Sequence, residues 1–227
     1  MAVAKPLIMD GQIARIISQG DVLAGAELLA VLTTAGAGTL TGTLLVSGIL
    51  NRTGPAGVFN DTTDSAANII NALLGSNVFQ ATAVTGISSG AAVQQGTTVR
   101  LRYLNTVAFA GTLVAGAGVT LAGVTVVAAS SFRDFLITIT NGTPQQTFAA
   151  SQINASAVIT GLTQFQTAQL SVGQLVTGTN IQAGSTVVSI QPGLGVTLSL
   201  AVTATIAINA LVFAPTVTVQ GLGGGPV

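Results

Sequence analysis

No charged residue follows Asp134, so the last 93 of the 227 residues carry neither a carboxylate nor a cation. Soluble surfaces rely on interspersed charge to stay dispersed. The tract must therefore span a membrane, lie against other protein, or cover itself with hydroxyls and amides. Its longest apolar stretch decides against a membrane-spanning helix. Val196, Leu198, Leu200, Val202, Ala204, Ile206 and Ile208 hold one parity, and Thr197, Ser199, Ala201, Thr203, Thr205 and Ala207 hold the other. Period two in β-branched residues is the pattern of a strand with one buried face. A lipid-spanning helix needs about 20 mostly apolar residues without alternation. The tract reads as β-structure with a hydroxyl-rich outer face.

Similar short runs recur upstream and downstream: Val99-Arg-Leu-Arg-Tyr103, Val119-Thr-Leu-Ala122, Val124-Thr-Val-Val127, Phe135-Leu-Ile-Thr-Ile-Thr140, Thr186-Val-Val-Ser-Ile190 and Thr216-Val-Thr-Val219. Turn signals such as Asn141-Gly142, Gly116-Ala-Gly118 and Gln191-Pro-Gly193 separate them. The expected class is mainly β, with antiparallel sandwich or barrel-like domains and one short amphipathic helix at about 62–74. That helix is read from Ala66, Ile69, Ile70, Leu73 and Leu74 at helical spacing. Asp61 or Thr62 is the expected N-cap, Asp64 lies in the first turn, and Gly75 ends the helix. A weaker helix or turn is expected at 24–32. Three segments follow: an N-terminal arm with Gly/Thr-rich strands (1–50), a β domain with the helix (51–150), and a charge-free β region (151–227). A linker at 145–156 joins the last two, and residues 221–227 form a flexible tail.

Composition removes most chemistry. The chain has no His, Cys or Trp, one Tyr, and six cations balanced by six carboxylates. Without His or Cys, the usual nucleophilic triads and the common zinc, haem and iron–sulfur ligand sets are missing. Zero net charge argues against nucleic-acid binding. The mean hydropathy of +0.75 comes largely from Ala and Val interleaved with Thr, Ser and Gly. The first ten residues lack the apolar core of a signal peptide, which leads to an expectation of synthesis and retention in a cytoplasm.

Few residues remain as candidates. Asp61 and Asp64 form the one close carboxylate pair beyond the arm and could do acid/base work or hold Ca²⁺, but helix capping accounts for their spacing. Arg100 and Arg102 share the outward face of a strand whose inward face is Val99, Leu101 and Tyr103. They suit an acidic partner or an ordinary solvated face. Arg133 and Asp134, being adjacent in a strand, point to opposite faces. Gly36-Ala-Gly38 and Gly116-Ala-Gly118 do not continue as phosphate-binding fingerprints. The sequons at Asn51, Asn60, Asn141 and Asn154 fall to chance in a Thr-rich chain. With one Tyr and no Trp, ring-stacking sugar recognition is poorly served. No enzyme, cofactor or metal function is expected.

Asn51-Arg52-Thr53-Gly54-Pro55 followed by Phe59-Asn-Asp61-Thr62-Thr63 resembles a pattern in tailed-phage virion proteins, particularly capsid decoration (cement) proteins. Ile69-Ile70-Asn-Ala-Leu73, the Asn105-Thr106 strand end, Gly116–Gly123 and the unit from Val176 to Ile190 extend the resemblance over roughly 48–210. It implies a protein on the outer capsid surface of a virion that binds the major capsid protein and clamps neighbouring subunits. It also implies a homotrimer, with no nucleic acid and no membrane bound. Lys5, Asp10, Arg15 and Asp21 of the arm, with Arg100 and Arg102, are the candidate capsid or subunit contacts. A tail, baseplate or head-fibre component is the first alternative, and a surface adhesin or outer-membrane β-barrel the second. Against the second stands the lack of aromatic girdles. A tail-associated glycosidase using Asp61 or Asp64 is the third.

Overall fold

The computed structural model describes residues 7–10, 13–16, 28–75 and 94–227. The first two strands, β1 (Leu7–Asp10) and β2 (Ile13–Ile16), pair antiparallel with one another as a separate two-stranded sheet. From there the chain winds between two larger sheets. β3 (Leu28–Leu32), β5 (Gly48–Arg52) and β7 (Thr98–Asn105) are parallel neighbours in one sheet. β4 (Gly38–Leu40), β6 (Phe59–Thr63) and β8 (Gly111–Val114) are parallel neighbours in the other. Successive strands thus alternate sheets. Each strand returning to its own sheet lies parallel to the previous one, as in a solenoid.

The four-stranded sheet is completed by β10 (Val126–Val127), and the larger one by β9 (Val119–Gly123), β11 (Ser131–Asn141) and β18 (Thr216–Pro226). The larger order is β3-β5-β7-β11-β18-β9. Alternation along each strand fills the shared core with Leu50, Leu101, Phe135, Ile137 and Val219, all at most 1% exposed. Helix α2 (Ala66–Gly75) adds Ile69 and Leu73 to that core, and the single turn α1 (Gly42–Leu45) packs against α2.

Residues 142–215 form an excursion between β11 and β18, which pair with each other. Within it lie β12 (Gln146–Gln152), β13 (Val158–Thr160), the single turn α3 (Gln164–Thr167), β14 (Leu175–Thr177), β15 (Val187–Gln191), β16 (Gly195–Leu198) and β17 (Ile206–Ala214). All of these strands pair antiparallel, in the order β14-β17-β12-β13-β16-β15. A bridge between Leu175 and Thr186 brings the two end strands together. This sheet encloses a second core of Ile159, Val176, Val196, Leu211 and Phe213.

Several expectations are corrected. The chain is mainly β, but the sheets mix parallel and antiparallel pairs, and the described residues hold three helices rather than the expected one. The helix spans 66–75 rather than 62–74, because Asp61 and Thr62 belong to β6. Residues 28–32 of the expected helix or turn at 24–32 are strand β3; residues 24–27 lie outside the described residues. Most of the expected linker is β12. The alternating run from Val196 to Ile208 divides into β16 and β17; Val196, Leu198 and Val202 keep the inward parity, but Leu200 and Ile208 are exposed and β17 buries Leu211 and Phe213 of the other parity. The expected flexible tail is the end of β18, where Gly221 and Gly224 let backbones meet. A Cβ on either would collide with the carbonyl of Val124 or Phe132. Val217 and Val219 of β18 belong to the first core rather than the second.

Candidate functional site

Three consecutive strands of the winding region place a polar residue at an inward position. Arg52 follows Leu50 on the buried face of β5, Asp61 lies between Phe59 and Thr63 on β6, and Tyr103 follows Leu101 on β7. The three converge. Arg52 Nε donates to Asp61 Oδ2 at 2.8 Å and Nη2 to Oδ1 at 3.2 Å, and the Tyr103 hydroxyl donates to Oδ2 at 2.6 Å. The Gly38 N–H donates to Oδ1 at 2.8 Å. Arg52 Nη1 reaches the carbonyls of Leu32 (3.2 Å) and Thr34 (2.6 Å), and Nη2 also reaches that of Gly36. Every guanidinium N–H has an acceptor, and the Phe59 ring lies 4.9 Å from Arg52 Cζ.

This cluster is a buried staple joining β5, β6 and β7. Arg52 and Asp61 are at most 1% exposed, so substrate has no approach. Burial, reinforced by the hydrogen bond to Asp61, pushes the Tyr103 hydroxyl well above its ordinary range, keeping it a donor. Neighbouring residues act alike. A Cβ on Gly54 would strike the Thr33 and Thr34 carbonyls, and Thr63 Oγ1 accepts from the Gly116 N–H at 2.8 Å. Asn105 Nδ2 donates to the carbonyls of Phe109, Val127 and Ala128. Thr106 Oγ1 donates to the Arg52 carbonyl.

Asp61 and Asp64 do not work as a pair. Asp64 precedes α2 and accepts from the N–H groups of Ser65 (2.8 Å) and Gly42 (3.0 Å) and from Asn68 Nδ2 (2.7 Å). Partial burial works to raise its pKa, but these hydrogen bonds prevail and hold it below the usual carboxylate range. Ser65, whose Oγ accepts from the Asn68 N–H, stands in the capping position expected of Asp61 or Thr62. Among the described residues no group of three or more potential metal ligands occurs.

Arg100 and Arg102 do share the outward face of β7, and both close on Asp134 of the neighbouring strand β11. Arg102 donates to both carboxylate oxygens at 2.9 and 3.1 Å, and Arg100 to one at 2.5 Å. The Arg102 hydrogen bonds lead in holding the Asp134 carboxyl below its ordinary range; burial opposes them and Arg100 adds to them. Phe132 lies under Arg102, 4.6 Å from its Cζ. Arg133 points away from this cluster and donates to the carbonyls of Val126 (2.7 Å) and Leu222 (2.6 Å). It borders a surface cavity of 360 Å³ lined by residues 128–133 and 224–226.

Of the arm candidates, Asp10 pairs with Ile13 and Arg15 with Ile8 in the β1–β2 ladder. Lys5 and Asp21 lie outside the described residues. All seven charged side chains described (Arg52, Asp61, Asp64, Arg100, Arg102, Arg133 and Asp134) are held by a protein group. Sequence reading missed Arg52, Tyr103 and Asp134 as partners. A polar residue at the apolar parity of a strand was the available signal for the first two. No protein family, curated protein or solved structure matches this chain.

Proposed function

We propose that the chain is a non-catalytic structural protein of a phage particle. It lies on the outer capsid surface, binds the major capsid protein and bridges neighbouring subunits as a homotrimer. One observation carries this reading: the seven described charged side chains are held as local staples, and the excursion between β11 and β18 meets water with none. On that surface Ile153, Phe165, Val188, Leu194 and Ile208 are exposed, Phe165 and Ile208 by 78% and 73%. Scattered exposed apolar residues are ordinary on a soluble protein. Without intervening charge they suit a surface covered by other protein, because contact there removes apolar area from water and strands no ion.

The phage assignment itself rests on the resemblance of residues 51–63 to virion proteins; in the structure Arg52 and Asp61 of that stretch close the buried staple with Tyr103. The test is to add the purified protein to undecorated capsids and follow binding and heat resistance. Saturable binding with a raised temperature of shell disruption is expected. Absence of binding with an unchanged shell overturns the proposal.

A further inference from the structure

We propose that β1–β2 is an exchange arm, adding to the open edge of β3 in a second copy of the chain and extending the six-stranded sheet across the subunit boundary. The edge comes first. Strand β3 pairs with β5 on one side, and among the described residues no strand pairs on the other. Its sequence is Leu-Leu-Ala-Val-Leu, without the charge, proline or bulge that ordinarily protects an edge. Leu29 and Val31 are 62% and 50% exposed beside that edge. An added strand would satisfy the edge backbone and set its side chains next to these two.

The arm has the complementary need. Strands β1 and β2 have four residues each and, among the described residues, pair only with one another. A lone two-stranded ribbon is at best marginal in water, and joining a larger sheet stabilises it. Residues 17–27 connect β2 to β3, and eleven residues reach at most about 40 Å when extended, enough to arrive at a neighbouring molecule. A second copy is the occupant chosen because, among the described residues, no pairing joins the β1–β2 ladder to the β3 edge of its own chain. Each copy then gives one arm and receives another, a head-to-tail contact that closes into a ring when the rotation allows. The exchange does not depend on what the ring coats, so failure to bind capsids leaves it standing.

The chain has no cysteine, so every thiol can be placed by design. Val31→Cys is put in one copy and Ala14→Cys in a differently tagged copy; the two are co-expressed and treated with a short bis-maleimide. The expected product is a cross-link between the two tags. The native protein should also have a mass that is a multiple of 22.4 kDa. Leu29→Lys with Val31→Lys, both at exposed positions, should reduce it to single-chain mass with unchanged circular dichroism. A native protein of single-chain mass overturns the proposal. So does a cross-link formed only within one chain when both thiols share it, or an oligomer indifferent to the lysines.

Discussion

Arg52 illustrates how this chain uses its few charges. A buried ion pair is costly to desolvate, and it becomes tolerable when every hydrogen-bonding group is satisfied. Here the guanidinium joins β5 to Asp61 of β6 and to three carbonyls of the chain leading from β3 to β4. Tyr103 and the Gly38 N–H saturate the carboxylate. Arg52→Met would leave Asp61 without its cation and the Thr34 and Gly36 carbonyls without a donor, while Leu32 keeps the Thr53 N–H. The expected loss is about 3–5 kcal/mol, or roughly 10 °C in melting temperature for a chain of this size. Adding Asp61→Leu to Arg52→Met should recover part of that loss, because the uncompensated charge goes with it. Thermal denaturation of the two variants checks this, and a double variant less stable than the single one contradicts it.

Among the elements, strands with a local signature were legible and their neighbours were not. Val99, Leu101 and Tyr103 alternate with Arg100 and Arg102, so both the strand and its outward face follow from the residues. Asp134, which both arginines hold, lies 32 positions from Arg102, and no local pattern reports the pairing. Parallel order escaped for the same reason, since it arises from winding between two sheets. The end of β18 misled because glycine is read as freedom. Gly224 instead lies where a side chain would strike the Phe132 carbonyl, while Gly223 faces open space. Gly224→Ala should therefore push β18 off β11 and cost about 1–3 kcal/mol. Gly223→Ala should change stability by less than about 0.5 kcal/mol. Equal effects in chemical denaturation would return this segment to the status of a loose tail.

At the scale of the whole molecule, two cores are threaded on one β11–β18 pair. Asn141 is paired with Thr216, so the excursion leaves and re-enters the first unit at adjacent positions. Few polar contacts tie the units there: Asn141 Nδ2 to Ser171 Oγ and to the Val172 carbonyl, the Thr143 N–H to Asn141 Oδ1, and Thr216 Oγ1 to the Gly173 carbonyl. Val217 and Val219 stay with the first core whatever happens to the second. Replacing residues 142–215 with an Asn-Gly turn, which suits the twist of an antiparallel hairpin, should therefore leave a chain that melts cooperatively. Introducing Arg52→Met into the shortened chain should still lower its melting temperature by roughly 10 °C, showing that the staple is intact. The same deletion removes the uncharged outer surface assigned to capsid contact. A shortened chain that folds but no longer raises the heat resistance of undecorated capsids would place the contact on the excursion. One that folds and still protects the shell would move it to the winding sheets, where Arg100, Arg102 and Asp134 lie.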